Sequence, residues 1–378
     1  MKTWQRILTD KISTNIQSNK ALLIFGARRV GKTILIRQLM ENFDGKILLL
    51  NGEDADAINL LENKSIANYR MLLKGVDLLV IDEAQQIPDI GLKIKLMLDE
   101  VDGIRIIASG SSSFDLLNKA GEPLVGRSYS YQLSPFSQAE IASHETVLQT
   151  KQNVESRLIY GSYPEVVMMD DANQQKMYLK EIVNAYLLKD ILQLDGLRSS
   201  AKMKDLLTLL AYQCGSEVSL DELGKQLGLS RNTVEKQLDL LTQVFVLYRL
   251  KGFSRNLRKE VAKSSKWYFC DNGIRNALIG NFNPLATRSD QGLLWENYLI
   301  SERIKKSLNE GLDKQFFFWR TYDQQEIDLI ELTNDKMDAF EFKWGTKKVK
   351  APEAFVKNYP QATFQVLSLD TYLPFLLP

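Results

Sequence analysis

Histidine and cysteine are almost absent from this 378-residue chain, which holds one His (His144) and two Cys, Cys214 and Cys270. A histidine-based zinc site is therefore excluded. The two cysteines are far apart and lack metal-ligand spacing, so a reducing cytoplasm is the economical expectation. Long apolar runs are missing too: none exceeds five residues, against the roughly 20 that a membrane span needs. The opening stretch MKTWQRILTDKISTN lacks the apolar core of a signal peptide. Charge imbalance is likewise absent, with 48 Lys and Arg against 47 Asp and Glu, so nucleic-acid affinity must come from local patches. What is present is the balance of a globular protein, 44% apolar and 25% charged. At roughly 150 residues per domain the length predicts two to three domains. A soluble, cytoplasmic chain with no membrane partner is expected.

The run ALLIF (21–25) reads as a strand, GARRVGKT (26–33) as a loop and ILIRQLM as a helix. Gly26, Ala27, Arg28, Arg29, Val30, Gly31, Lys32 and Thr33 match the P-loop, whose main-chain N–H groups cradle phosphates at a helix N-terminus. Lys32 is expected to reach the β- and γ-phosphates of ATP and the Thr33 hydroxyl to bind Mg²⁺. Arg28 and Arg29 read as solvated or phosphate-facing. Downstream, GVDLLVIDEAQQIPD sets an apolar strand directly before Asp82 and Glu83. Asp82 is expected to hold the Mg²⁺ through water and Glu83 to orient the attacking water; alone, the pair also reads as a solvated strand end. KILLL (46–50) adds a strand between the two motifs, and IRIIASG ends at Ser109, placed to sense the γ-phosphate. Arg127, before the last strand of this domain, reads either as an arginine finger for a neighbouring subunit's nucleotide, which implies a homo-oligomer, or as a surface ion pair.

These residues together resemble the AAA+ superfamily of ATPases. The resemblance implies a strand inserted between the P-loop strand and a Walker B strand ending in Asp-Glu.

Residues 151–215 carry a helical pattern, expected to form a lid or linker. In SLDELGKQLGLSRNTVEKQLDLLTQ, Leu220, Leu223 and Leu227 mark one short helix, and Val234, Leu238 and Leu241 mark a second, capped by Ser230. The pattern is a helix-turn-helix. Arg231, Asn232 and Lys236 are the exposed candidates for DNA contact. RLKGFSRNLRKEVAKSSKWYF then carries seven basic residues from Arg249 to Lys266, including Lys251, Arg255 and Arg258, against one acid, Glu260. A β-wing would display them to a phosphate backbone. The other reading is a protein-interaction module or a spacer.

EIDLIELTNDKMDAFEFKWG (326–345) reads as a hairpin whose strands carry charge. A turn at Asn334-Asp335 sets residue i opposite residue 669 − i, so Asp328 faces Glu341 and Glu326 faces Lys343. Two carboxylates side by side repel unless a cation separates them, as Mg²⁺ does. Asp328, Glu341 and the Phe342 carbonyl are the expected Mg²⁺ ligands. Lys343 would position a water, and Glu296, on the preceding helix, would complete the shell or bind a second ion. Glu326 is expected to pair with Lys343 or solvent. A salt-bridged surface hairpin is the alternative.

The order of helix, strand, Asp strand and Glu-x-Lys strand resembles the PD-(D/E)XK nuclease core. GARRVGKT, IDEAQ, SGSSS, LVGRSYSYQLSPFS, KWYFCDNGI, the WEN helix, EIDLI and EFK together resemble a bacterial and archaeal family of ATPases whose C-terminal half is a domain of unknown function. The expected fold is α/β: a P-loop AAA+ domain with a parallel sheet and flanking helices (1–150), a helical lid (151–215), a winged helix-turn-helix (216–284) and an α/β PD-(D/E)XK nuclease-like domain (285–378). The function implied is Mg²⁺-dependent ATP hydrolysis coupled to DNA binding and phosphodiester cleavage. The alternative is a non-cleaving switch that uses ATP to act on protein partners.

Overall fold

The computed structural model describes residues 4–17, 19–111, 124–187, 200–254, 265–334, 336–345 and 349–377. The chain divides into two compact units, Met1–Pro135 with Gln243–Phe245, and Phe136–Thr242 with Val246–Pro378.

The first unit is built on five strands: β1 (Ala21–Phe25), β2 (Ile47–Asn51), β3 (Leu78–Asp82), β4 (Arg105–Gly110) and β5 (Ser128–Gln132). Every pairing is parallel, in the order β2-β3-β4-β1-β5. Every residue of β1 is buried, as are the first four of β3, the pattern of strands covered on both faces. Helix Lys32–Glu41 contributes Leu35, Ile36 and Leu39, and helix Ile90–Glu100 contributes Ile90, Ile94 and Met97, at the three-and-four spacing of a buried helical stripe. Phe25, Leu79, Ile81, Ile94 and Met97 share one core. β4 lies between the P-loop strand β1 and the Asp-Glu strand β3, as the AAA+ resemblance implied. The carboxyl ends of β1, β3 and β4 thus lie side by side, where parallel sheets bind ligands.

The second unit opens with helices. Among the described residues of 151–215, Val154–Tyr160, Pro164–Val167, Ala172–Glu181 and Ser200–Tyr212 are helical. Helices Leu220–Leu227 and Arg231–Gln243 follow, the first capped by the Ser219 hydroxyl and closed by left-handed Gly228. A Cβ at Gly224 would lie 2.7 Å from the Leu229 carbonyl oxygen, so the tight turn requires glycine there. Six strands then form one mixed sheet: β6 (Leu247–Gly252), β7 (Ser265–Phe269), β8 (Gln315–Arg320), β9 (Glu326–Thr333), β10 (Lys336–Phe342) and β11 (Thr363–Leu367). Their order is β11-β10-β9-β8-β6-β7.

The boundary expected at 284–285 falls inside this single sheet, because β6 pairs with β8 through Lys251↔Phe317 and Gly252↔Phe318. An isolated wing would leave the β6 edge unpaired, and β8 satisfies it. The first compact unit runs to Pro135. The hairpin register came out as expected, with Lys336↔Thr333 through Phe340↔Leu329 obeying 669 − i, and Asn334 adopts a left-handed φ of 53°. Asp335 lies outside the described residues.

Candidate functional site

The P-loop leaves β1 at a point where only glycine fits: a Cβ on Gly26 would lie 2.2 Å from the Leu133 carbonyl oxygen. Arg29 (φ 65°) and Gly31 (φ 96°) take left-handed conformations that curl the loop onto helix Lys32–Glu41. The Lys32 ammonium is buried and donates to the carbonyls of Gly26 (2.8 Å) and Ala27 (3.1 Å). Thr33 Oγ1 donates to Asp82 Oδ2 at 2.8 Å. Ser109 Oγ donates to the other oxygen, Asp82 Oδ1. The Glu83 N–H reaches Asp82 Oδ1 and Ser109 Oγ, both at 3.2 Å. Glu83 itself sits at φ 50°, a strained conformation for a non-glycine residue of the kind that clusters at active sites. The structure thus gathers Lys32, Thr33, Asp82, Glu83 and Ser109 at one edge of the sheet.

Three more residues support this edge and escaped the sequence reading. Arg6 is buried and donates to Val30 O (2.8 Å) in the P-loop and to Ser134 O (2.7 Å). Gln85 Nε2 donates to Glu83 Oε2 at 2.5 Å and to Ser111 Oγ at 3.3 Å, fixing the Glu83 carboxylate. Gly52 donates its N–H to Asp82 O (2.8 Å), and a Cβ there would lie 2.2 Å from Glu83 O. Gln85 was in principle legible, two residues beyond Glu83 within IDEAQ. Arg6 and Gly52 reach the site only through folding and carry no local motif.

Arg127 lies away from the phosphate loop of its own chain. Its carbonyl accepts the Ala21 N–H (2.9 Å) at the start of β1, the strand end opposite Gly26, and its Nε donates to Asp99 Oδ1 at 2.8 Å. Because β5 runs parallel to β1, the residue before β5 falls at the amino ends of the strands. Arg127 is therefore a surface ion pair in this chain, outside its own phosphate site.

A second cluster lies in the C-terminal sheet. Asp328 Oδ2 accepts the Phe342 N–H at 2.7 Å, and Lys343 Nζ bonds Glu341 Oε1 at 2.6 Å. Burial, with Glu296 and Glu341 nearby, holds the Asp328 carboxyl well above the usual carboxylate range, the Phe342 N–H and Lys266 pulling against it. Glu296 is raised by burial, which outweighs Lys266 and the Tyr268 phenol. Tyr268 donates to Glu296 Oε1 at 2.6 Å. Among the described residues no group of three or more His, Cys, Asp or Glu side chains forms a metal-holding set. Glu296, expected to complete a metal shell, is instead bound by Tyr268 and Lys266. The expected Glu326–Lys343 pair does not form. Glu326 bonds Lys266, while Lys343 lies just past the end of β10 and turns to Glu341. Lys266, counted in the basic run, is buried and not displayed. The pair that remains for a hard cation is Asp328 and Glu341, near enough for Glu341 to help raise the Asp328 carboxyl, oxygen donors of the type Mg²⁺ takes.

On the helix-turn-helix, Arg231, Asn232 and Lys236 are exposed, as is Lys251 on β6. Arg231 is drawn to Asp221 at 3.3 Å, and the Ser230 hydroxyl accepts the Thr233 N–H at 3.1 Å, the expected cap. Arg249 contacts Asp239 (3.4 Å) and lies 5.3 Å from the Trp267 ring. Arg255 and Arg258 lie outside the described residues. Both cysteines are buried and free, and burial pushes the Cys214 thiol up to about 12. No described helix is long and apolar enough to cross a membrane.

Residues 18–142 match the family model described as AAA domain. Residues 151–285 and 291–370 match two models, each described as a domain of unknown function (DUF8612 and DUF4143). An uncharacterized protein of Mycobacterium tuberculosis is 28% identical over 332 residues, covering 85% of this chain and 70% of its own. Another, from Haemophilus influenzae, is 25% identical over 345 residues, covering 83% and 80%. Among solved structures, a Walker-type ATPase of Pyrococcus abyssi is similar at 14% identity and a TM-score of 0.49, covering 71% of this chain and 94% of that one. With its P-loop, its Asp-Glu strand and this family match, the N-terminal unit carries an AAA-like P-loop ATPase domain.

Proposed function

We propose that the chain binds ATP with Mg²⁺ at the P-loop, hydrolyses it, and uses the nucleotide state to control nucleic-acid chemistry in its C-terminal half. The observation that carries the first part is the 2.8 Å hydrogen bond from Thr33 to Asp82. The two oxygen donors that a nucleotide-bound Mg²⁺ takes in P-loop enzymes are already adjacent. Bound Mg²⁺ supplies charge neutralisation at the β- and γ-phosphates. The loop N–H groups bind the phosphates, and Lys32 exchanges its two carbonyl partners for phosphate oxygens. Glu83, held by Gln85, orients the attacking water, and Ser109 links the γ-phosphate position to Asp82. Calorimetry with Mg·ATP and a phosphate-release assay test this. Lys32→Ala loses nucleotide binding, and Glu83→Gln keeps binding while hydrolysis falls by on the order of 10²-fold or more. An absence of ATP uptake by the folded wild-type protein overturns the reading.

The second part is favoured by Asp328, Glu341 and Lys343. Asp328 and Glu341 with the Phe342 carbonyl would hold one Mg²⁺, which supplies polarisation of a scissile phosphate. Lys343, tied to Glu341, would orient a water and offset developing negative charge. Arg231, Asn232, Lys236 and Lys251 offer exposed polar and basic side chains for DNA, with Arg255 and Arg258 completing the basic run in sequence. A nuclease assay with Mn²⁺ separates this from a non-cleaving, ATP-driven switch on protein partners. DNA and RNA left intact by wild type as by Asp328→Ala favours the switch. Sedimentation with and without ATP tests for a homo-oligomer in which the partner's Arg127 would serve the nucleotide.

A further inference from the structure

Lys266 belongs by sequence to a run of exposed-looking bases, yet its side chain is only 4% exposed and it points into acid. Its ammonium bonds Glu326, lies 3.7 Å from Glu296 Oε1 and sits 5.3 Å from the Phe318 ring centre. Tyr268, two residues along the same strand β7, donates to the same Glu296 oxygen at 2.6 Å. The four acids of the cluster therefore divide. Asp328 and Glu341 are served by the Phe342 N–H and by Lys343. Glu296 and Glu326 are served by Lys266, with Arg320 a further 3.8 Å contact to Glu326. A divalent ion bridging Glu296 and Glu326 would need the volume that the Lys266 ammonium fills. An ammonium is a compact point charge on a flexible stem, which suits it to such a position. Removing it would leave two neighbouring carboxylates with only the 3.8 Å Arg320 contact to Glu326 as counter-charge, an arrangement that favours cation uptake.

Resting on the reading that Asp328 and Glu341 hold one Mg²⁺, we infer that Lys266 occupies the position of a second divalent cation and restricts this cluster to a single ion. The lysine is a positioning residue: it contacts neither the bound ion nor substrate, and it acts by holding Glu296 and Glu326 away from metal duty.

Mn²⁺ titration followed by electron paramagnetic resonance, on the full chain without nucleotide and in an Asp82→Asn background that silences the P-loop site, counts the ions directly. One ion per chain is expected with Lys266 intact, two with Lys266→Met, one with Lys266→Arg and one with Lys266→Met/Glu326→Gln. Two ions with Lys266 intact, or one in a folded Lys266→Met, overturns the inference. Where Lys266→Met is unfolded without metal, millimolar Mn²⁺ restores its circular dichroism, since the ion takes the ammonium's place; failure to restore it overturns the inference as well. If the intact cluster binds none and Lys266→Met gains one, the metal reading of Asp328 and Glu341 falls while the role of Lys266 stands. If neither binds Mn²⁺, both fall.

Discussion

At the scale of single residues, the nucleotide site depends on groups outside its motifs. Arg6 is buried and bonded to Val30 O and Ser134 O, so it holds the P-loop from below. Arg6→Ala leaves two carbonyls without their charged donor, at a cost of about 2–3 kcal/mol. A melting temperature lowered by several degrees, together with weaker ATP binding by calorimetry, is the expected result. Asp290 gives the pH dependence. Burial alone would raise its carboxyl, but Arg288 and Arg275 hold it down to about 2, below the usual carboxylate range. Since the folded pKa is depressed, this stabilisation is fully present above the unfolded value and is lost as pH falls through it towards about 2. Asp290→Asn therefore lowers the melting temperature at pH 7 by on the order of a few degrees, and the difference shrinks between pH 4 and pH 2 in a fluorimetric melt series. This staple anchors the start of helix Gln291–Glu310, which carries Glu296.

At the scale of elements, the hairpin and the capped helices were legible because their signals are local. Asn334 at φ 53° is a residue type that tolerates the left-handed region, and the alternation of β9 and β10 then fixed which side chains face each other. Asn334→Val forces a β-branched side chain into that region at about 1–2 kcal/mol. Chemical denaturation should show the loss, and Asn334→Gly should not. The P-loop strand and helix were legible for the same reason. Less visible was the fate of single charges on those elements. Lys266 and Lys343 alternate with apolar residues as any exposed base would, and only the neighbouring strands and helix determine that one is buried against Glu296 and the other tied to Glu341.

At the scale of the whole chain, one six-stranded sheet runs from β6 to β11 across the boundary expected near 285. A fragment starting at 285 loses β6, leaving β8 with an unpaired edge, so it should aggregate. A fragment beginning at Phe136 keeps the six-stranded sheet intact and should remain soluble in gel filtration. Equal solubility of the two would contradict the pairing of β6 with β8.

The sequence by itself determined the phosphate loop, the Asp-Glu strand, the helix-turn-helix and the register of the charged hairpin. Each is written in contiguous residues whose backbone preferences and two- or 3.6-residue periods need no distant partner. Only the tertiary structure decided that Arg127 lies at the far end of its sheet, that β6 joins β8, and that Lys266 rather than Lys343 neutralises Glu326. Those outcomes depend on which strand edges and which buried charges meet across long stretches of chain, and local patterning does not encode them.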